Sequence, residues 1–204
     1  MEEYVSKPRR SGAHAILVNN NYIDIMIRDR GSLTTAVVFH AALPAKIKTY
    51  PFFSGERFTK DTNINLVAVS DPSLSLGDIN LAWFLGNRRQ GKLRPILSPI
   101  IQHALSSLET KQTILFGVSG GGYAAANFAW DFPDSFALLL NPRLDMRRNP
   151  PAAISKYLSV CHDAHSATPM RRIRNEFVVE RISDLALQGL NHDLLIYQNI
   201  SDTT

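Results

Sequence analysis

The sequence predicts an α/β fold: a mostly parallel sheet, opened by an N-terminal antiparallel hairpin and covered by helices on both faces. Three observations carry this. Short apolar runs rich in β-branched residues, such as Leu33–His40 and Ile64–Asp71, have the length and composition of buried strands. Later runs of this kind alternate with segments whose apolar residues recur at helical spacing, and alternation of that sort builds a parallel sheet with helical crossovers. The first two strand-like runs are instead separated only by a cluster of asparagines, which marks a hairpin.

Taken in order, Ala13–Val18 and Tyr22–Arg28 form the hairpin, with Asn19–Asn21 as its turn. Leu33–His40 is the third strand and Ile64–Asp71 the fourth. From Leu93 a segment opens on prolines and continues as a helix, with Leu97, Ile100, Ile101, Ala104 and Leu108 along one face. Thr113–Gly117 is the fifth strand, followed by a helix from about Gly121 to Trp130. Ser135–Asn141 reads as a short buried strand. The stretch Pro142–Ala167 reads as less regular, punctuated by Pro150 and Pro151. A helix from Met170 carries Ile173, Phe177, Ile182 and Leu185, and Asp193–Asn199 is the last strand.

The chain has 204 residues, of which 45% are hydrophobic and 20% charged; that composition builds a packed core and excludes global disorder. It reads as one domain over residues 1–204, without repeats or low-complexity segments. No apolar run approaches the ~20 residues of a membrane span. The N-terminal segment lacks the apolar core of a secretory signal. Cys161 is the single cysteine, so no internal disulfide forms, and a reducing, cytoplasmic setting is expected. The net charge is +4, with arginines grouped at Arg9–Arg10, Arg88–Arg89, Arg147–Arg148 and Arg171–Arg174. No aromatic residues interleave with these groups, so they read as solvated surface and no nucleic-acid partner is expected. No metal-ligand spacing appears, and neither metal nor cofactor is expected.

The segment with chemical content is Gly117-Val118-Ser119-Gly120-Gly121, a G-x-S-x-G pattern at a strand-to-helix junction. A nucleophilic serine has to stand at the tip of a very tight turn. Side chains two positions before and after it would collide with the flanking strand and helix, and Gly117 and Gly121 remove that collision. The helix that follows points its unpaired N–H groups at the position where an oxyanion would form. Ala124, Ala125 and Ala126 let that helix approach the sheet closely. Two other readings fit the same residues: a glycine-rich turn in which Ser119 merely caps the helix, and the dinucleotide fingerprint G-x-G-x-x-A over Gly120–Ala125, with Asp145 as its acid, which would make the protein a nucleotide-binding oxidoreductase.

On the elbow and the order of elements, the chain resembles the α/β-hydrolase superfamily over nearly its whole length. The resemblance implies a serine esterase or acyltransferase acting on a small-molecule ester or acyl substrate. It implies an oxyanion hole with one donor from the loop after the third strand, here Phe39–Pro44; the backbone N–H groups of Ala41 and Gly120 take that role. His40-Ala41 resembles the His-Gly pair often found there. An acid is implied after the seventh strand, at Asp202, with Asp145 as the alternative position. His40, Asp71, Trp83 and Tyr123 are candidates to line the substrate pocket, and residues 142–190 sit where many members insert a cap.

The superfamily's histidine base follows the acid, and no histidine follows Asp202. His162, His165 and His192 follow Asp145 but read as surface residues. A serine without a base is a weak nucleophile. Three explanations stand: a chain truncated before its histidine, a base supplied from an unusual place, or a non-catalytic binding or scaffold relative. The stop just after the seventh strand favours the first. An uncovered last strand would then offer an edge for oligomerisation.

Overall fold

The computed structural model describes residues 11–47, 49–182, 193–199 and 201. Its main sheet has seven strands: β1 (Gly12–Val18), β2 (Asn21–Arg28), β3 (Thr34–Phe39), β4 (Asn65–Val69), β7 (Gln112–Val118), β8 (Ser135–Leu140) and β9 (Asp193–Tyr197). Their spatial order is β1-β2-β4-β3-β7-β8-β9. β2 is antiparallel to both of its neighbours and every other pairing is parallel. A small ribbon of β5 (Gly86–Asn87) and β6 (Gly91–Lys92) lies apart from it. The hairpin turns at Asn19 and Asn20, both with positive φ, which asparagine tolerates better than most residues.

The helices are α1 (Glu56–Asp61), α2 (Arg94–Ser107), α3 (Gly120–Phe128), α4 (Pro151–His162) and α5 (Ala167–Phe177). The pleat divides the strand residues between two cores. Val37, Phe39, Val67, Val69 and Leu115 face the larger one, with α2 and α3 packed on it. Ala36, Val38, Leu66 and Ala68 face a smaller one, closed by Phe58 of α1 and Phe116, whose rings stack 5.0 Å apart. Every residue of α3 is buried, which is why this helix, apart from Asn127, is built from glycine, alanine and aromatic residues rather than as an amphipathic strip.

Two expectations about elements are corrected. The stretch 142–167 is not irregular: it contains the three-turn helix α4, started by Pro151 at its first position. Ile154, Tyr157, Leu158 and Cys161 are buried along it, a helical period that the double proline masked. The helix expected from Met170 through Leu185 starts at Ala167 and ends at Phe177; Val178 is extended, and Leu185 lies outside the described residues. β9 is one of the two edge strands of the described sheet, with Leu195 52% and Tyr197 71% exposed. Its backbone is tied to β8 through Asn141, whose N–H donates to the Tyr197 carbonyl (2.8 Å) and whose Oδ1 accepts from the Asn199 N–H (2.6 Å).

Candidate active site

Strand register brings a row of loop residues to one end of the sheet. Phe39 is paired with both Val69 and Gly117, and Val118 with Leu140. The next residues therefore stand side by side at the carboxyl ends of the parallel strands: Ser70–Asp71, His40–Ala41, Ser119 and Asn141. Open α/β sheets place their ligand sites at this edge.

Ser119 has φ 53° and ψ −118°, a conformation that a residue with a side chain rarely adopts. Such a backbone costs ~1–3 kcal/mol and persists only where its surroundings impose it. Here they do. The Ser119 N–H donates to the Leu140 carbonyl at 3.0 Å, and its own carbonyl accepts from Gly122 and Tyr123. A Cβ on Gly117 would lie 2.0 Å from the Gly121 carbonyl oxygen. A Cβ on Gly121 would lie 2.3 Å from the Phe39 oxygen and 2.7 Å from that of His40. Gly120 is in turn pressed by Leu81 and Gly122 by Pro142. The glycines thus let strand, turn and helix touch backbone to backbone. The Ser119 hydroxyl makes no capping bond to α3, so the helix-cap reading fails.

The close seat of Gly121 on His40 sets the His40–Ala41 peptide beside the start of α3, where the first N–H groups have no partner within the helix. The His40 ring fixes this loop. A carbonyl can only accept, so Nδ1–H donates to the Ala41 oxygen (2.9 Å), and Nε2 accepts the Asp71 N–H (3.2 Å). Both nitrogens are used, the ring is 2% exposed, and burial pushes its pKa down, all of which keep it a neutral imidazole.

Of the other residues considered for pocket lining, Trp83 and Tyr123 are turned inward, and Asp71, though buried, lines a small pocket with Tyr22 and Tyr50. The Asp71 carboxylate accepts from the N–H groups of Phe84 (2.7 Å) and Ser73 (3.0 Å), and burial raises its pKa. Trp83 is 1% exposed and edge-on to Tyr157. Tyr123 is fully buried, and its hydroxyl donates to the Val179 carbonyl (2.8 Å). A hollow of about 440 Å³ opens instead between the loop after β3 (Leu43, Pro44, Ile47, Tyr50) and the segment after β4 (Asp78, Ile79, Asn80). Lys156 of α4 reaches its rim and pairs with Asp78 at 3.0 Å. The Leu43–Asn80 backbone bond, 2.8 Å, joins the two walls. These residues were not singled out from the sequence, because nothing in their local pattern distinguishes them from ordinary loops.

Asp145 caps a short turn and holds Arg147 through Nε (2.8 Å) and its backbone N–H (3.0 Å); the guanidinium keeps its carboxyl down at about 2. His162 is not a surface residue: it is 8% exposed, and burial lowers its pKa to about 4. Tyr157 gives its proton to the Gly86 carbonyl (3.0 Å), so His162 Nε2–H donates to the Tyr157 oxygen (2.9 Å). His165 is exposed and pairs with Asp163. Among the described residues no side chain is hydrogen-bonded to the Ser119 hydroxyl. Asp202 and His192 lie outside the described residues.

No protein-family model matches the chain, and no curated protein matches it. Solved structures do. The capsule O-acetyltransferase of Neisseria meningitidis serogroup A superposes with a TM-score of 0.66 at 15% identity, over 99% of this chain and 80% of that one. The Gap123 glycosylation-associated protein complex from Streptococcus agalactiae gives 0.61 at 16%, over 92% of this chain but 42% of that one. Mycobacterium tuberculosis MPT51 gives 0.55 at 14%, over 93% and 74%. At these identities the likeness shows the fold: an α/β-hydrolase-like, mostly parallel sheet with helices. No described helix is long and apolar enough to cross a membrane.

Proposed function

We propose that the protein catalyses acyl transfer through Ser119, to water as an esterase or to a hydroxyl acceptor as an acyltransferase. The observation that carries this reading is the Ser119 backbone. A strained serine, held at the carboxyl edge of the sheet by glycines at which a Cβ would strike backbone, has no structural reason to be there. In the reaction Ser119 Oγ bonds to the acyl carbon while its proton passes to a base. The carbonyl oxygen becomes an oxyanion, met by the N–H groups of Gly120 and Ala41. Expulsion of the alcohol, which takes up the proton, leaves an acyl-serine, and the acceptor then takes the acyl group by the reverse steps. The N. meningitidis protein of like fold is an O-acetyltransferase, which is in keeping with this chemistry.

Asp202 is the orienting acid in this reading. Asp145, the alternative, has its carboxylate committed to Arg147. The described helices α4 and α5 belong to the segment 142–190 that would serve as a cap. A second reading, a binding protein that has kept the elbow without turnover, draws on the histidines: His40 and His162 are bonded elsewhere and His165 pairs with Asp163. A fluorophosphonate probe separates the two. Labelling confined to Ser119 and abolished by Ser119→Ala is the expected result, whereas labelling that survives the substitution overturns the assignment. No labelling of Ser119 at all favours the second reading.

A further inference from the structure

At the same edge of the sheet, beyond β3 and β4, a second pocket of about 200 Å³ opens where the start of β2 meets the end of β4. Two strand spacings separate β7 from β4 and three separate it from β2, so the pocket lies ~10–15 Å from Ser119 along the edge. Tyr50 lines both it and the larger hollow beside the Ala41 loop, so the two are neighbours.

The lining has a consistent chemistry. The phenol rings of Tyr22 and Tyr50 are 61% and 37% exposed. Asp24 is half-buried among them, and burial pushes its carboxyl upward. Asn21, Arg89 and Gln90 complete the wall. Carboxylate, amide and guanidinium are planar groups that hold two neighbouring hydroxyls at once, and an exposed aromatic face accepts the C–H face of a sugar ring. Asp71 lines the pocket too, but its carboxylate is taken up by the Phe84 and Ser73 N–H groups; the acid and base that remain, Asp24 and Arg89, are one of each sign and prefer no ion. The volume is below the ~300–1,000 Å³ of drug-sized pockets, which suits a single ring. The wall is fixed in advance: Asn87 Oδ1 accepts from the N–H groups of Arg89 (2.9 Å) and Gln90 (3.2 Å), and Gln90 Nε2 donates to the Tyr22 carbonyl (3.3 Å). Groups that need no reordering lose less on binding.

We propose that this pocket binds one pyranose unit of an uncharged oligosaccharide, held so that a neighbouring unit reaches Ser119 as the hydroxyl acceptor. The acceptor role rests on the acyl-transfer reading; the binding site does not. Binding is therefore measured on the full chain carrying Ser119→Ala, by saturation-transfer NMR and titration with maltotriose, cellotriose and chitotriose. At least one binds saturably, and Tyr22→Ala and Asp24→Asn each weaken it tenfold or more with an unchanged melting curve. Binding by none of the three overturns the site, as does binding that both variants leave intact, or phosphocholine competing as the tighter ligand. Fluorophosphonate labelling of the unsubstituted chain reports separately: sugar binding without labelling keeps the site and removes the acyl chemistry, and labelling without sugar binding does the reverse.

Discussion

Replacing Gly117 by alanine puts the elbow under a load that can be worked out. The new Cβ would sit 2.0 Å from the Gly121 oxygen, 2.2 Å from its carbonyl carbon and 2.6 Å from the Gly122 nitrogen, against an ordinary contact of 3.4–4 Å. All three atoms are backbone, so no side chain can swing away. Gly117 has no positive φ, so the cost is steric alone. The start of α3 would have to retreat by more than 1 Å, yet it is boxed in by Leu81, by the Phe39 and His40 carbonyls and by Pro142. Overpacking of this kind costs ~3 kcal/mol, the upper part of the usual range. At ~2–4 °C per kcal/mol for a chain of this length, the melting temperature falls by ~6–12 °C. The same retreat moves Ser119 from its place, and a misplacement of ~1 Å costs ~10²-fold in rate. Thermal denaturation followed by circular dichroism reads the first effect, and the rate of fluorophosphonate labelling on the folded protein reads the second. An unchanged melting temperature with an unchanged labelling rate refutes the tight elbow.

Ser119→Gly should raise the melting temperature while abolishing labelling, because glycine releases the ~1–3 kcal/mol held in the serine backbone; a lower melting temperature than wild type would count against stored strain. His162 gives a pH signature. Its folded pKa, about 4, is below its ordinary value near 6.5, so between these pH values the unfolded chain takes up a proton that the folded chain declines. Stability contributed by the neutral ring is therefore present above pH ~6.5 and lost as the pH falls toward ~4, and His162→Gln, which keeps a donor for the Tyr157 oxygen, flattens that part of the curve. Superimposable melting-temperature profiles for the two proteins would remove His162 as the cause.

How far the sequence reached depended on the range of the forces involved. Apolar runs and the asparagine turn located the hairpin and the main-sheet strands β3, β4, β7 and β8, because burial and turn chemistry act within a few residues; the two-residue strands β5 and β6 carry no such run. The glycine spacing around Ser119 located the tight turn, because the collision that Gly117 avoids is with Gly121 and Gly122, a few positions on; that Gly121 is pressed by Phe39 and His40, far away in sequence, had no local mark. The double proline at Pro150–Pro151 was misread as a sign of irregular chain, although proline at the first helical position starts α4. His162 showed no local mark of burial: it is covered by Tyr157 of its own helix and by Phe177 from the next, and its partner hydroxyl is oriented by Gly86, far away in sequence. The same holds for the partners of His40 and Asp71: both residues are hydrogen-bonded to the loops they brace, and Asp71 lines a pocket as well.

By itself the sequence determined the α/β class, the order of the main-sheet strands through β8 with the helices α2 and α3 between them, and the one serine placed where a nucleophile could stand. Only the tertiary structure decided that Ser119 is strained rather than a helix cap, that both nitrogens of His40 are occupied, and that the hollows lie between Leu43–Tyr50, Asp78–Asn80 and the start of β2. The reason is physical. Strand periodicity and glycine spacing are written into neighbouring residues, whereas a cavity and the partner of a buried polar group are made by segments that meet only when the sheet assembles.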